Sequence, residues 1–290
     1  MSLFFRHTDN RKFNTWCKYT VRLDTYGCGC QHECLYCYAR GLLDFRGNWN
    51  SEKPKPGTLW EIKNTVSQLP KNTVVRLGGM TDCFQPIERQ KRITYETIKI
   101  LNYYKIHYLI VTKSQLVSSD EYIRIYDKEL VHFQISVTST NDDTSRSFEK
   151  ASPPSQRIAA IEKLSGLGFD VSVRLSPFIE QFIDLNTINL IKCDKILIEF
   201  LKVNHYIRKW FPIDYSDYTL QYGGYNNLQL GKKINLVNQI TGFSEKSVGE
   251  YVADHYYYFR ENVNFNPDDC CNLMVHFQKR PENKQLRIFA

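Results

Sequence analysis

The sequence has no long hydrophobic run. No stretch approaches the roughly 18 uncharged apolar residues that a membrane helix requires. Its longest apolar runs, such as Tyr108-Leu109-Ile110-Val111, have the length of a strand. The first residues, MSLFFRHTDNRK, contain no apolar core followed by small residues, so no secretory signal is read there. No membrane association and a cytoplasmic location are therefore expected. No internal repeat is visible, and no low-complexity tract beyond Lys53-Pro54-Lys55-Pro56-Gly57, which excludes solenoid architectures. Disorder is excluded as well, because 42% of the 290 residues are hydrophobic and only 24% charged.

What the chain does have is nine cysteines. In a reducing compartment these are not a disulfide framework, so they are metal ligands, reactive thiols or core residues. Charge is the softer signal. Thirty-eight Lys and Arg against 31 Asp and Glu leave +7, a modest balance that suits anionic partners. Nineteen Tyr and 17 Phe add surfaces on which bases can stack.

Short β-rich runs recur at Tyr19–Leu23, Val74–Leu77, Tyr108–Thr112, Val131–Val137, Val171–Leu175 and Lys195–Phe200. Between them lie segments with apolar residues at helical spacing, at Gly57–Leu69, Arg89–Tyr104 and Ser155–Leu167. About six strand–helix alternations predict an α/β protein with a parallel sheet, flat or rolled into a barrel. From Lys202 the pattern changes. Residues 202–225 concentrate Lys202, Arg208, Lys209, Trp210 and several tyrosines, and helices are expected at Lys232–Ile240 and Ser244–Glu261. A last strand is expected at Leu273–Phe277. The expected division is therefore residues 1–201 as the barrel and 202–290 as an α-rich extension packed on it.

The cysteines are not spread evenly. Cys30, Cys34 and Cys37 have the spacing C-x3-C-x2-C just after the first long strand. A loop of this kind can wrap three thiolates around three irons of a cubane, leaving the fourth iron open. Zinc and an inert core are the competing readings, although no second C-x2-C knuckle follows, as zinc sites usually require. Cys28 is a spare that could slip into the ligand register. Cys17 and Cys193 read as core. The pair Cys270-Cys271 reads as strand-start packing, with a hydrogen donor, a redox pair or part of a second metal site as the alternatives.

The run Gly29-Cys30-Gln31-His32-Glu33-Cys34-Leu35-Tyr36-Cys37-Tyr38-Ala39-Arg40 resembles the signature of radical S-adenosylmethionine (SAM) enzymes. Within them it is similar to the spore photoproduct lyase and DNA-repair-photolyase-like branch. Three further runs resemble the same branch: Gly79-Met80-Thr81-Asp82-Cys83-Phe84-Gln85-Pro86-Ile87-Glu88, Val111-Thr112-Lys113-Ser114, and Ser152 through Ile161.

The resemblance implies a partial (β/α)6 TIM-type barrel with the cluster at its C-terminal mouth. It implies a [4Fe-4S] cluster on Cys30, Cys34 and Cys37, SAM as cofactor, an electron donor of flavodoxin or ferredoxin type, and chemistry by a 5′-deoxyadenosyl radical. Tyr36 is then expected near the adenine, Gly78 and Gly79 near the methionyl amino group, and Lys113 and Ser136 at its carboxylate. Arg157 and Arg174 are weaker candidates. Arg174 is expected to point into the barrel, where a buried guanidinium needs an anion. In spore photoproduct lyase a cysteine after the second strand returns a hydrogen atom, with two tyrosines as a proposed relay. The tyrosines match Tyr36 and Tyr38. The cysteine's place is taken by Gly79 or Met80, and Cys83, a few residues on, reads either as an analogous donor or as a small buried apolar residue. The expected function is a lyase or base-modifying reaction on nucleic acid, such as DNA repair, with contact through 202–225. The alternatives are modification of a peptide or small metabolite, and a non-enzymatic metal-binding module.

Overall fold

The structure is a computed structural model. It describes residues 4–6, 19–44, 47, 49–243, 247–250, 255–263, 271 and 273. Eight strands form one sheet in spatial order identical to chain order: β1 (Phe4–Arg6), β2 (Tyr19–Leu23), β3 (Val74–Leu77), β4 (His107–Thr112), β5 (Val131–Ser136), β6 (Asp170–Phe178), β7 (Lys195–Phe200) and β8 (Ser247–Glu250). β2 to β7 pair in parallel, each with the next, and are the six strands expected from the sequence. Helices at Leu59–Ser67, Ile93–Tyr104, Pro154–Gly166 and Leu185–Leu190 cross between strands. The result is a partial TIM-type barrel.

Strand residues alternate in character because successive side chains face opposite sides. Val75, Leu77, Ile110, Phe133, Ile135, Val173, Ile196 and Ile198 belong to the main hydrophobic core that also takes in the helices. The opposite set is the barrel interior. Val74 and Leu109 pack there with Cys271 and Leu273, and Val111 lies against them. Arg76, Gln134, Ser136 and Arg174 share that interior side and are all buried. So half of each apolar-looking run faces helices, and the other half makes a polar lumen.

Several elements differ from expectation. The helix expected over Arg89–Tyr104 is two, Glu88–Lys91 and Ile93–Tyr104, separated by Arg92 at φ 55°. The helix expected over Ser244–Glu261 is not continuous. The preceding helix runs over Leu230–Phe243, β8 follows, and a short helix spans Tyr256–Asn262. The physical reason is the exposed edge of β7, whose unpaired backbone groups take Ser247–Glu250 as a parallel partner, Val248 opposite Ile196. Residues 202–228, read only by composition, form the helix His205–Trp210 and a hairpin, Leu220–Tyr222 with Tyr225–Asn227. Gly223 and Gly224, both at positive φ, make its turn. Cys17, Cys270 and most of the strand expected at Leu273–Phe277 lie outside the described residues.

Candidate active site

The site is built at the C-terminal ends of the strands. A cavity of about 380 Å³ is lined by Cys30, Cys34 and Cys37, by Gly78 to Asp82 after β3, and by Val111 to Lys113 at the end of β4. Ser136, Arg174 and Glu199 line it from β5, β6 and β7, and Lys202, Ile207 and Tyr225 from the segment beyond. Tyr36 and Tyr38 also line it. All the residues expected at the site except Cys83 and the weaker candidate Arg157 are thus gathered in one place.

The cysteine loop is held from below by the run Thr81–Glu88. Gln85 is fully buried, its Oε1 accepting from Gln31 N at 2.9 Å, while Gln31 Oε1 accepts from Ile87 N at 2.6 Å. Asp82 accepts from Thr112 Oγ1 and Lys113 N, both at 2.7 Å, and its carboxylate lies 3.2 Å from His32 Nε2. Burial opposes its charge, but His32 and these donors prevail and hold its pKa at about 2. Glu88, also fully buried, accepts from the hydroxyls of Tyr26 and Tyr122 and from Thr94 N and Tyr95 N. Within the loop, Cys28 and Glu33 take positive φ. Gly29 is the position without room: a Cβ there would lie 1.9 Å from Asn50 O.

A second support lies behind Tyr36. Its hydroxyl donates to Glu149, a fully buried carboxylate that also accepts from Thr138 Oγ1 at 2.7 Å, Ser145 Oγ at 2.9 Å and the Arg157 guanidinium. Burial would raise the Glu149 pKa, yet Arg157 and Lys113 outweigh it and bring it to about 2. Arg157 also donates to Ser136 O at 3.0 Å and does not line the cavity, so this weaker candidate is part of the scaffold. The Tyr36 ring is packed edge-on against Phe211 and tilted on Phe148, with Lys113 Nζ 5.6 Å from its centroid.

The glycine turn after β3 is set by Asp24. Its buried carboxylate accepts from the amides of Gly79 (2.8 Å), Met80 (2.9 Å) and Thr81 (3.2 Å). Gly78 sits at φ 86°, and a Cβ there would meet Val111 O at 2.5 Å. The Tyr38 hydroxyl donates to Gly79 O at 2.9 Å. Arg174 does point into the barrel. Its anion is Glu199, and its second contact is Gln134 Oε1 at 2.6 Å. Cys83 is fully buried in the hydrophobic core and does not line the cavity. Its thiol pKa is pushed well above the ordinary value by burial and by Asp82 and Glu88. Cys28 also lies off the cavity, and Cys193 is buried with its Sγ near Val171 O, as core.

The radical SAM superfamily profile matches residues 25–184, more than half of the chain. The chain belongs to the radical SAM superfamily. An uncharacterized protein of Methanocaldococcus jannaschii, MJ0683, is 27% identical over 169 residues, 55% of this chain and 61% of that protein. The match therefore spans less than two thirds of that relative's length. Among solved structures, a mutant spore photoproduct lyase with bound AdoMet and dinucleoside spore photoproduct aligns at TM-score 0.59 and 15% identity, over 79% of this chain and 75% of that one. Streptococcus suis SuiB aligns at TM-score 0.54 and 13% identity, over 93% and 56%. SuiB bound to the precursor peptide SuiA aligns at 0.55 and 15%, over 83% and 51%. At such identities the likeness is one of fold.

A radical SAM protein is an enzyme, and its family implies a [4Fe-4S] cluster and SAM. The residues present fit them. Cys30, Cys34 and Cys37 line one cavity, and a cubane takes each thiolate on a separate iron. The thiols are kept protonated by their surroundings: burial and Asp82 push Cys30 up to about 12, and burial and Glu149 raise Cys34. Coordination to a metal removes such protons outright. Asp24 and Glu149 were not identified from the sequence. Each is a lone carboxylate, and only the fold places its partners around it.

Proposed function

We propose that the protein is a radical SAM enzyme acting on nucleic acid, in lesion repair by a lyase-type reaction or in base modification. Cys30, Cys34 and Cys37 hold the cluster, and Tyr36, Gly78, Gly79, Lys113, Ser136 and Arg174 bind SAM. A [4Fe-4S] cluster held there would supply the electron for reductive cleavage of SAM, and with it the radical chemistry of the superfamily. The protein's own part is orientation. Asp24 fixes the glycine turn by accepting from its amides, which sets the backbone of Gly78 and Gly79 against the cavity where the methionyl end of SAM would lie. Lys113 Nζ makes no ion pair among the described residues, which leaves it for a carboxylate. Tyr38, half-exposed and tied to Gly79, is better placed than Cys83 to exchange a hydrogen atom with a substrate radical, because it lines the cavity.

The observation that carries the reading is the cavity wall itself. It brings Lys202 and Tyr225, from the basic and aromatic stretch, to the same space as the three thiols. On this reading residues 202–290 form a cover over the barrel 1–201, the reductant is a flavodoxin or ferredoxin, and the enzyme works in the cytoplasm. No helix among the described residues is long and apolar enough to cross a membrane.

The test is anaerobic reconstitution with iron, sulfide, dithionite and SAM. 5′-Deoxyadenosine is expected, and replacing Cys30, Cys34 and Cys37 by Ala should abolish it. Deuterium from a labelled oligonucleotide should then appear in 5′-deoxyadenosine. Transfer from a labelled peptide and none from any oligonucleotide would replace nucleic acid with the peptide alternative, which the fold likeness to SuiB offers.

A further inference from the structure

The cysteine loop has an outer side as well as a cavity side. Tyr26 and Gly27, which lead into it, pair antiparallel with Pro56 and Lys55, and Cys28 O accepts from Asn50 N at 2.7 Å. On the other flank Gln31 Oε1 accepts from Ile87 N, just before the short helix Glu88–Lys91. Thr25 joins the two flanks. Its carbonyl accepts from Gly57 N at 2.9 Å, and its hydroxyl lies 2.7 Å from Thr94 Oγ1. Residues 50–63 and 87–91 thus make one rim around the outside of the loop.

This rim is basic and carries an exposed indole. Trp60 stands in the first turn of the helix Leu59–Ser67 and is 73% exposed. A helix that joins parallel strands runs back from their C-terminal ends, so its first turn lies at the end of the barrel where the loop is. Lys53, Lys55, Lys63, Arg89 and Lys91 are all exposed, and none of them makes an ion pair among the described residues. Glu52 and Glu61 oppose them on the rim, while Glu88 is buried. A single exposed apolar ring is ordinary on a protein surface. A ring set among cations in excess is the make-up of an interface for an acidic partner, with an aromatic anchor and an electrostatic collar. None of these six side chains lines the cavity. A substrate has to enter the cavity to meet a radical, whereas an electron needs only a partner close to the cluster. The rim therefore suits a partner that must come near the three thiols without entering.

We infer that the outer rim of the cysteine loop, centred on Trp60, docks the electron donor, a small acidic one-electron carrier protein. This rests on the radical SAM reading above and adds to it a located entry point for the electron. In the encounter the carrier loses one electron and the cluster gains it, and no bond forms or breaks. Redox encounters use small interfaces, under about 1,200 Å², so one indole and its collar are enough.

The test is anaerobic stopped-flow reduction of the cluster-loaded enzyme, followed by bleaching of its visible absorbance, with reduced flavodoxin or with dithionite. Trp60→Ala should slow reduction by flavodoxin about tenfold. Lys53→Glu with Lys55→Glu should slow it about tenfold at low salt, a difference that closes as salt rises. Dithionite is too small to need a docking face and should reduce wild type and both variants equally fast. Carbodiimide cross-linking of wild-type enzyme to flavodoxin needs no variant, and the cross-links should fall on Lys53, Lys55, Lys63 or Lys91. Flavodoxin rates unchanged in both variants, or cross-links confined to lysines elsewhere, overturn the inference and leave the radical SAM reading intact. Slower reduction by dithionite as well would mean a damaged cysteine loop, and the wild-type cross-links then decide. A loaded enzyme that yields no 5′-deoxyadenosine from SAM with dithionite overturns the radical SAM reading first. An oligonucleotide that displaces flavodoxin and binds less tightly to Trp60→Ala would give the rim to nucleic acid and overturn the carrier assignment.

Discussion

Arg157 and Glu149 are both without solvent exposure, and each is the other's counter-charge. Removing one partner of a buried pair strands the other, which typically costs 3–5 kcal/mol, roughly. Arg157→Ala is therefore expected to lower unfolding free energy by about 3–5 kcal/mol, as read by urea denaturation. Glu149→Gln with Arg157→Met should recover part of that loss, because no uncompensated charge is left. Gly29 supports a different expectation. Its Cβ position is filled by Asn50 O at 1.9 Å, a backbone atom that cannot swing away. Gly29→Ala should fold but reconstitute poorly, with iron per chain falling well below that of wild type. At this scale the cysteine spacing was legible, because it is local in sequence. Asp24 and Glu149 were not, because they act across 55 and 113 residues of chain on Gly79 and Tyr36. Cys83 kept two readings, donor and buried residue, for the same reason: its neighbours in sequence touch the site, while its own side chain turns into the core.

Among elements, the strand starts opposite the cavity carry their own polar cluster. Asp170 at the start of β6 accepts from Lys195 Nζ and pairs with His132 Nδ1, both at 2.6 Å. Burial acts against the charged Asp170, but the His132 hydrogen bond and Lys195 outweigh it and lower its pKa below the ordinary 3.8. A carboxylate whose pKa is lower folded than unfolded stabilises above the unfolded value and loses that contribution as pH falls through the folded one. Melting temperature should thus drop on acidification below about pH 4, and Asp170→Asn should be destabilised at pH 7 yet show a shallower acid limb. The six strands themselves were legible because parallel barrel strands are rich in β-branched residues and bounded by turn residues. What the runs concealed was their inner face. Arg174 was expected to point inward, but Arg76, Gln134 and Glu199 sit within apolar stretches and read as interruptions until the two-residue alternation places them in the same lumen.

For the whole molecule the open question of any partial barrel is its edges. β1 covers one edge in antiparallel pairing with β2, and β8 covers the other in parallel pairing with β7. β8 escaped the sequence reading because Ser244-Glu245-Lys246-Ser247 has the look of a helix start, and four residues carry too little pattern to oppose it. The strand's importance follows from where it sits. β7 contributes Glu199 to the cavity, and Phe200 and Leu201 follow into its wall. An uncovered β7 would present a row of unpaired backbone groups to other chains. In a parallel ladder, alternate residues turn their N–H toward a given neighbour, so proline at two successive positions removes at least one donor facing β7. Val248→Pro with Gly249→Pro should therefore lower the melting temperature and shift the protein toward larger species in size-exclusion chromatography as concentration rises. Val248→Thr keeps the donor and the β-branched shape, and should elute as wild type. If the double proline variant stays at the wild-type elution volume and melts with it, β8 is not what protects this edge, and the cover over β7 has to come from elsewhere in the extension.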